Sequence, residues 1–445
     1  MRRVFVLFFS LLIFISNVQA FEMVLPKEKK SVVNTKYALF VGKAGRSETI
    51  SINDKSIYVA PNGAFAHSVK LKDGNNRIVV KSDYSKKFYT LYKTPEKKCI
   101  QSEIKTYETL TGFVNKDNAP MRNTPIDAGM NRIAHLFQGT EVLITGEKDN
   151  FYQIYLSKNK TAWIAKDDVT IDYDAKPSAA EFIGSENKKY KNAIVKSIAF
   201  TKKLPYEIEE NDKEIVFKVY NPEQSNNSVY SIEIPKSEKF SYSVTLEDGK
   251  YTIKLTDTPQ SIENCTIAID AGHGGSEKGA VGCLSDCEKD INLKIAHELQ
   301  KQLTEAGATV IMTRECDANV SLNERVDFAK ENNANIFVSI HLNSIGDVCM
   351  NLNKNKGTSI YYYNPNSRKL ANILEDSVTK AAGTRKDGVK TASFAVIRPT
   401  NYIGVLVECA YMINPHDTML YRSDKFAKNV AKGICDGILK FIKNS

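Results

Sequence analysis

The chain has 445 residues, which is enough for three or four domains of ordinary size. Its hydrophobic content of 42% and charged content of 25% are ordinary for soluble globular protein and exclude a chain that is disordered throughout. The formal net charge of +9 comes from lysines spread along the whole sequence. Because these lysines form no compact patch of arginine and aromatic residues, we expect no nucleic-acid partner.

Residues 1–20 have the layout of a secretory signal peptide. Arg2 and Arg3 precede an apolar run from Val4 to Ile15, and Val18-Gln19-Ala20 offers small residues for cleavage. The apolar run is too short to span a bilayer. We therefore predict an exported protein, in the periplasm or at the cell wall and outside, with no stable membrane span after cleavage. An uncleaved N-terminal anchor is the alternative.

Residues 30–97 carry short alternating segments separated by turn signals. Examples are residues 49–52 before Asn53-Asp54, and residues 77–80 after Asp73-Gly74. Strands at this even spacing predict an all-β sandwich. The pattern resembles the immunoglobulin-like modules of bacterial surface proteins.

Two further β-rich units follow, at residues 104–172 and 178–258. The first contains the segments 119–125, 139–142, 151–154 and 161–164, and it resembles a bacterial SH3-type domain. That resemblance implies a small barrel that binds wall polymer or peptide. Trp163 is the only tryptophan of the chain, and it is either a core residue of the barrel or a platform for a ligand. The second unit is either a targeting domain or a structural spacer, because strand alternation does not separate the two.

From about residue 263 to residue 445 the pattern changes to alternating strands and helices. Strands are predicted at residues 266–270, 309–313, 336–340, 359–363 and 405–408. Helices are predicted at residues 291–306, 322–331, 368–382 and 425–442. This alternation predicts an α/β domain with a mostly parallel sheet covered by helices.

Four residues with the chemistry of a metal hydrolase lie at the ends of these strands. His273, His341 and Glu408 each follow an apolar strand, and Glu288 begins the first helix. Because the carboxyl ends of parallel strands meet at one edge of a sheet, these side chains are expected to converge. Two histidines and one carboxylate leave an open position on a zinc ion, and the other carboxylate can serve as a base.

The motifs around these residues resemble those of the zinc-dependent N-acetylmuramoyl-L-alanine amidases of bacterial cell walls. The resemblance covers roughly residues 263–443 and rests on DAGHGG at 270–275, EKDINL at 288–293, SIHLN at 339–343 and LVE at 406–408. It implies one catalytic Zn²⁺ held by His273, Glu288 and His341, with Glu408 as the catalytic glutamate. It also implies peptidoglycan as the substrate, cut at the amide between N-acetylmuramic acid and L-alanine.

The resemblance carries weaker implications for other residues. Arg398, in the segment 396–398, matches a segment in which the family has an arginine near substrate. Arg325 matches a recurring position of the family, and we expect a structural role for it. Many family members carry a small β-sandwich targeting domain directly before the catalytic domain, where residues 178–258 lie. Whether a protein activator takes part is left open.

The sequence departs from the family pattern in two places. Cys409-Ala410 follows Glu408 where the family usually has a glycine–phenylalanine pair. The connection from His341 to Gly357 is too short for the regulatory helix that plugs the site in some relatives, which predicts constitutive access. Two other functions remain open at this point: a catalytically silent wall-binding protein, and a zinc peptidase that cuts within the peptide stem.

Alternatives also exist for individual residues. Ser285-Asp286-Cys287-Glu288 fits a helix capping box, in which Glu288 would be a cap. Cys283 and Cys287 are close enough to form a disulfide, or to offer thiolates to zinc. The chain has eight cysteines, and their connectivity cannot be deduced from the sequence.

Overall fold

The computed structural model describes residues 21–45, 47–95, 103–223, 228–344 and 356–443. The predicted signal peptide, Cys99, Cys349 and most of the connection from His341 to Gly357 lie outside the described residues. Within the described ranges, no helix is both long enough and apolar enough to cross a membrane.

The N-terminal unit consists of two β-sheets. A three-stranded sheet contains Glu22–Leu25, Tyr37–Lys43 and Ala64–Lys70. A five-stranded sheet contains Lys30–Val33, Lys86–Lys93, Gly74–Ser82, Ile50–Ile52 and Lys55–Ile57, in that order. Phe40, Phe65 and Tyr89 are buried in the core of this unit. The strand-rich prediction is confirmed, and the immunoglobulin-like identity stays a prediction.

The next unit is a single seven-stranded antiparallel sheet, which we name the barrel unit after the SH3-type barrel predicted for residues 104–172. Its strands are Arg132–Leu136, Ala119–Arg122, Lys160–Ala165, Phe151–Ser157, Glu141–Lys148, Lys105–Val114 and Val169–Asp172, in sheet order. Trp163 is 5% exposed, so it is a core residue rather than a surface platform for a ligand. The SH3-type identity of the unit stays a prediction.

The third β-rich unit has two smaller sheets. One contains Phe182–Tyr190, Ala193–Phe200, Lys250–Asp257 and Phe240–Glu247, and the other contains Tyr206–Glu210, Glu214–Tyr220 and Val229–Pro235. One continuous hydrophobic cluster joins this unit to the barrel unit, from Ile144 and Ile154 to Phe217 and Tyr251. The two units therefore stabilise each other and share one core.

The C-terminal domain is built on a six-stranded sheet. Its strands are β1 (Thr266–Ala271), β2 (Thr309–Met312), β3 (Ile336–Asn343), β4 (Thr358–Tyr362), β5 (Lys386–Thr391) and β6 (Ile403–Tyr411). The sheet order is β2-β1-β3-β6-β4-β5, and only the β4–β6 pair is antiparallel among these six strands. The predicted mostly parallel sheet is confirmed. Its central strands are buried on both faces, which explains their continuous apolar sequences.

In the described part of this domain, five α-helices cover the sheet. They are α1 (Glu288–Glu305), α2 (Leu322–Glu331), α3 (Arg368–Ala382), α4 (Pro415–Tyr421) and α5 (Phe426–Lys443). The sequence predicted four of them to within a few residues, whereas α4 and strand β5 were missed. Helices α1, α3 and α5 pack on one face, where Leu299, Leu374 and Ile438 join the main core. Helix α2 lies on the other face, beside Phe337 and Tyr402.

Helices α3 and α5 approach each other closely at Gly433. A Cβ atom added there would lie 2.5 Å from the Cα atom of Val378. Alanine favours a helix by about 1 kcal/mol over glycine, but overpacking a core costs about 1–3 kcal/mol. We therefore expect Gly433→Ala to lower the free energy of unfolding, measured by chemical denaturation of the full chain.

Gly184→Ala is the matched control for this prediction, since nothing lies within 4 Å of a Cβ atom built at Gly184. We expect that substitution to change stability by no more than about 0.5 kcal/mol. A Gly433→Ala protein as stable as this control would contradict the close helix contact.

Candidate active site

Three of the residues singled out in the sequence meet at the carboxyl edge of the sheet. His273 lies in the loop after β1, Glu288 is the first residue of α1, and His341 lies near the end of β3. One donor atom from each of these side chains lies within 4.8 Å of the others. The predicted convergence of His273, Glu288 and His341 is therefore seen in the structure.

Glu288 is the buried centre of this cluster. Its Oε1 atom accepts hydrogen bonds from His341 Nδ1 at 2.8 Å and from the Leu342 amide at 3.1 Å. Its Oε2 atom accepts one from the Ala280 amide at 2.7 Å and lies 3.2 Å from His273 Nε2. The helix cap is Cys287, which makes no side-chain hydrogen bond, and so the capping-box interpretation of Glu288 is wrong.

The electrostatics of the cluster favour a charged Glu288. Burial alone would raise the pKa of its carboxyl group, but hydrogen bonds from His273 and His341 outweigh that effect and hold the pKa well below the usual range. Burial would also lower the pKa of His341, and its hydrogen bond to Glu288 more than offsets this and raises the pKa. Glu288 is therefore a carboxylate at all physiological pH values.

The donor set and the space around it fit a zinc ion. Imidazole nitrogen and carboxylate oxygen are ligands that zinc prefers in catalytic sites. Two glycines make room for these ligands: a Cβ atom at Gly272 would clash with the His341 ring, and one at Gly279 would lie 2.5 Å from Glu288 Oε2. In the described residues, no cysteine belongs to a group that could hold a metal ion.

Two buried arginines and an asparagine hold the loop that carries His273. Arg325 pairs with Asp270 at 2.6 Å and donates to the carbonyl oxygens of Ala271 and His273. Arg314 donates to the carbonyl oxygens of Ala271 and Gly272. The structural role predicted for Arg325 is confirmed. Arg314 was missed, although an arginine two residues after the apolar segment 310–312 is an available signal.

Asn292 was also missed by the sequence analysis. It lies one helical turn after Glu288, and its Nδ2 atom donates to the Gly272 carbonyl oxygen at 3.1 Å and to Glu288 Oε1 at 3.4 Å. It thereby connects the start of α1, which carries Glu288, to the loop that carries His273. The spacing of four residues on one helix face could have indicated this role.

Glu408 lies on strand β6 directly beside His341 on β3. Its Oε2 atom is inaccessible to solvent and has no hydrogen-bond partner among the described residues. Burial, with a further contribution from the charge of Glu288, raises the pKa of Glu408 to about 7, although His341 and Lys390 act in the opposite direction. A buried carboxylate oxygen without a partner indicates a group that faces a ligand or a reacting atom.

Arg398 is not brought to this cluster. It lies five residues before β6 begins, whereas Glu408 lies in the second half of that strand, so the two residues flank opposite edges of the sheet. Its Nη1 atom donates to the Ser393 carbonyl oxygen at 2.7 Å. Arg398 therefore lies away from the cluster, and its catalytic role stays a prediction.

The described cysteines and the remaining histidines of this domain lie outside the cluster. Cys283 and Cys287 are both free, and burial raises the pKa of the Cys283 thiol to about 12. Zinc thiolates at these positions are therefore not supported. His297 contacts the Glu315 carbonyl oxygen, and His416 stacks on Tyr58 of the N-terminal unit.

Comparison with known proteins places the C-terminal domain in one family. The family described as N-acetylmuramoyl-L-alanine amidase matches residues 267–440. Uncharacterized protein YqiI of Bacillus subtilis is 37% identical over 183 residues, which are 40% of this chain and 85% of that protein. N-acetylmuramoyl-L-alanine amidase LytC of the same organism is 35% identical over 182 residues, 40% of this chain but only 36% of LytC.

Among solved structures, the catalytic domain of the amidase CwlV from Bacillus (Paenibacillus) polymyxa is 34% identical, with a TM-score of 0.38. The match covers 41% of this chain and 99% of that domain. The identity and coverage of the match to YqiI, together with the family match over residues 267–440, show that the chain belongs to the N-acetylmuramoyl-L-alanine amidase family and is an enzyme of that class. The family match does not include the three β-rich units.

The glycine at position 272 makes a direct test of the cluster possible. We expect Gly272→Ala to displace the His341 ring and to weaken zinc binding about tenfold or more, as measured by competition with a chromogenic chelator. Gly184→Ala serves again as the control and should bind zinc as tightly as the wild type. Unchanged zinc affinity in Gly272→Ala would contradict the assignment of His341 as a ligand.

Proposed function

We propose that the chain is a zinc-dependent peptidoglycan hydrolase that cuts the amide between the lactyl group of N-acetylmuramic acid and L-alanine, with Glu408 as general base and acid. The observation that carries this proposal is the buried, unpartnered Oε2 atom of Glu408 beside the cluster of His273, Glu288 and His341. Membership of the amidase family supports the choice of substrate.

The metal ligands in this proposal are His273, Glu288 and His341. A zinc ion held by them would polarise the scissile carbonyl group and make a water molecule more acidic. The protein supplies the positions of the ligands: Glu288 orients His341 by a direct hydrogen bond, and Arg314 and Arg325 fix the loop that carries His273. Such supporting contacts commonly decide how well a metal site binds.

Glu408 is the residue suited to move the proton. It would accept a proton from the attacking water and then donate that proton to the departing amine of L-alanine. The two glutamates of the site have opposite environments, since Glu288 is held charged while the pKa of Glu408 lies near neutrality. A separation of this kind assigns the ligand role to one carboxylate and the proton-transfer role to the other.

The location and accessibility of the enzyme belong to the proposal as well. The substrate lies outside the cytoplasm, which agrees with the signal peptide predicted for residues 1–20. Constitutive access to the site also stays a prediction, because residues 345–355 lie outside the described residues.

Glu408→Gln separates the base from the metal site. The amide keeps the size of the side chain but cannot accept the proton, and so we expect kcat to fall by about 10²- to 10⁴-fold while zinc content stays at the wild-type level. His341→Ala should lose both activity and zinc. A Glu408→Gln protein with wild-type kcat would rule out its role as the base.

The bond that is cut can be identified by mass spectrometry of purified peptidoglycan digested with the zinc-loaded protein. We expect free stem peptides that begin with L-alanine, absent after digestion with Glu408→Gln. Cuts inside the stem would instead show a peptidase. Tight binding to peptidoglycan without any cleavage would favour a wall-binding protein.

A further inference from the structure

Strand β4 connects the candidate active site to the contact between the catalytic domain and the barrel unit. Ser359 on β4 lies directly opposite Glu408 on β6. Since alternate residues of a strand share a face, Ser359, Tyr361 and Tyr363 follow one another on the face that carries Glu408. The four steps from Ser359 to Tyr363, the residue directly after β4, span about 13 Å at about 3.3 Å per step.

Two aromatic side chains and one lysine lie in the middle of this path. The rings of Tyr361 and Phe394 pack edge to face with their centroids 5.3 Å apart, and Phe394 is 40% exposed. Lys390 places its ammonium group 5.7 Å from the centre of the Tyr361 ring. Lys390 is in turn held by Asp387 at 2.6 Å.

Two arginines from different domains lie beside the contact between those domains, at the far end of the path. Arg398 belongs to the catalytic domain, and Arg132 is the first residue of a barrel strand. The backbones of the two domains are in close contact here, because a Cβ atom added at Gly129 would lie 2.5 Å from the Cβ atom of Ser393. The Nη1 atom of Arg398 donates a hydrogen bond to the carbonyl oxygen of the same residue, Ser393.

The positive charge of these two arginines is not balanced within the described residues. The arginine–carboxylate pairs in those residues involve Arg122, Arg325 and Arg422, and neither Arg132 nor Arg398 has a carboxylate within 4.0 Å. The Nη1 atom of Arg132 lies 3.2 Å from His135 Nε2, but its Nε atom is buried and has no hydrogen-bond partner in the same part of the chain. A buried cationic donor without a partner is costly unless a ligand supplies the acceptor.

The neighbouring titratable groups agree with this surplus of positive charge. Burial, together with the charges of Arg132, Arg398 and Arg122, lowers the pKa of His135 to about 4, so its ring is neutral. Burial and the charge of Arg132 lower the pKa of the Arg398 guanidinium. The charges of the two arginines also act to lower the pKa of Tyr363, although burial outweighs them and raises it.

We propose that Arg132 and Arg398 form an anion-binding subsite that spans the two domains and binds a carboxylate of the peptide stem of the substrate. A guanidinium group matches the planar geometry of a carboxylate and can bind it through two parallel hydrogen bonds. An extended peptide advances about 3.3–3.6 Å per residue, so a carboxylate about four residues beyond the scissile amide reaches this subsite. The barrel unit thereby contributes directly to substrate recognition.

This inference rests on the proposed function for the identity of the ligand, but it can be tested without cleavage. Isothermal titration calorimetry of the zinc-loaded full chain would use a synthetic stem tetrapeptide that begins with L-alanine, and the same peptide with its terminal carboxylate amidated. We expect the wild type to bind the free acid about tenfold more tightly than the amide. Arg132→Gln should bind both peptides with the affinity of the amide.

Three further variants separate recognition from folding. Arg398→Gln should behave as Arg132→Gln does, and Arg132→Lys should restore part of the preference because it retains the charge. Arg77→Gln removes a solvent-exposed arginine of the N-terminal unit and should bind both peptides as the wild type does. Circular dichroism melts check that each variant is folded, and a preference that persists in a folded Arg132→Gln would overturn the proposal.

Cleavage assays then separate this proposal from the proposed function. With a muramyl tetrapeptide, Arg132→Gln should raise KM about tenfold with little change in kcat, and amidation of the substrate should remove the difference.

A wild type that cleaves the substrate but binds both peptides equally, or binds neither, overturns the subsite alone. A wild type that prefers the free acid but cleaves nothing overturns the proposed function and supports the subsite. If amidation of the second residue's carboxylate weakens binding and amidation of the terminal carboxylate does not, the contact lies elsewhere and the subsite is overturned.

Discussion

The catalytic domain depends on one buried carboxylate, that of Glu288, which lies between two histidines. Its five polar contacts come from the end of β3, from the loop that carries His273, from the Ala280 amide and from Asn292 one turn further along α1. Removing one member of a buried charged group costs about 3–5 kcal/mol, because the other charge is left uncompensated. The same contacts that assemble the ligands therefore also fix the start of α1 against the edge of the sheet.

A second buried charge network, centred on Asp270, supports the loop that carries His273. Asp270, the one charged residue of β1, accepts hydrogen bonds from Arg325, Ser339 and Thr313. Burial alone would raise the pKa of Asp270, and these partners outweigh it and lower the pKa. The stability that the network contributes is therefore present at neutral pH and is lost as the pH falls towards the lowered value. Catalysis and acid stability are linked through the loop that carries His273.

The sequence predicted those features that depend on local patterns. Continuous apolar runs indicated the buried strands β1, β3 and β6, and the polar residues at their ends indicated the site. Strand β5 was missed because Lys386–Thr391 contains one apolar residue, Val389, and a glycine. Helix α4 was missed because it has only seven residues, the first of which is a proline. The sequence offered signals for Asn292 and Arg314, but not for their hydrogen-bond partners. Those partners are backbone carbonyl oxygens, and their positions depend on the fold.

Arg398 shows what topology adds to a motif match, because topology gives the edge of the sheet at which the matched residue lies. Residues that follow a parallel strand lie at the edge where ligands bind, and residues that precede it lie at the other edge. Arg398 precedes β6, so its position relative to the sheet could have been read from the sequence. Its proximity to Arg132 could not, because that contact joins residues more than 260 positions apart and depends on how the barrel unit docks.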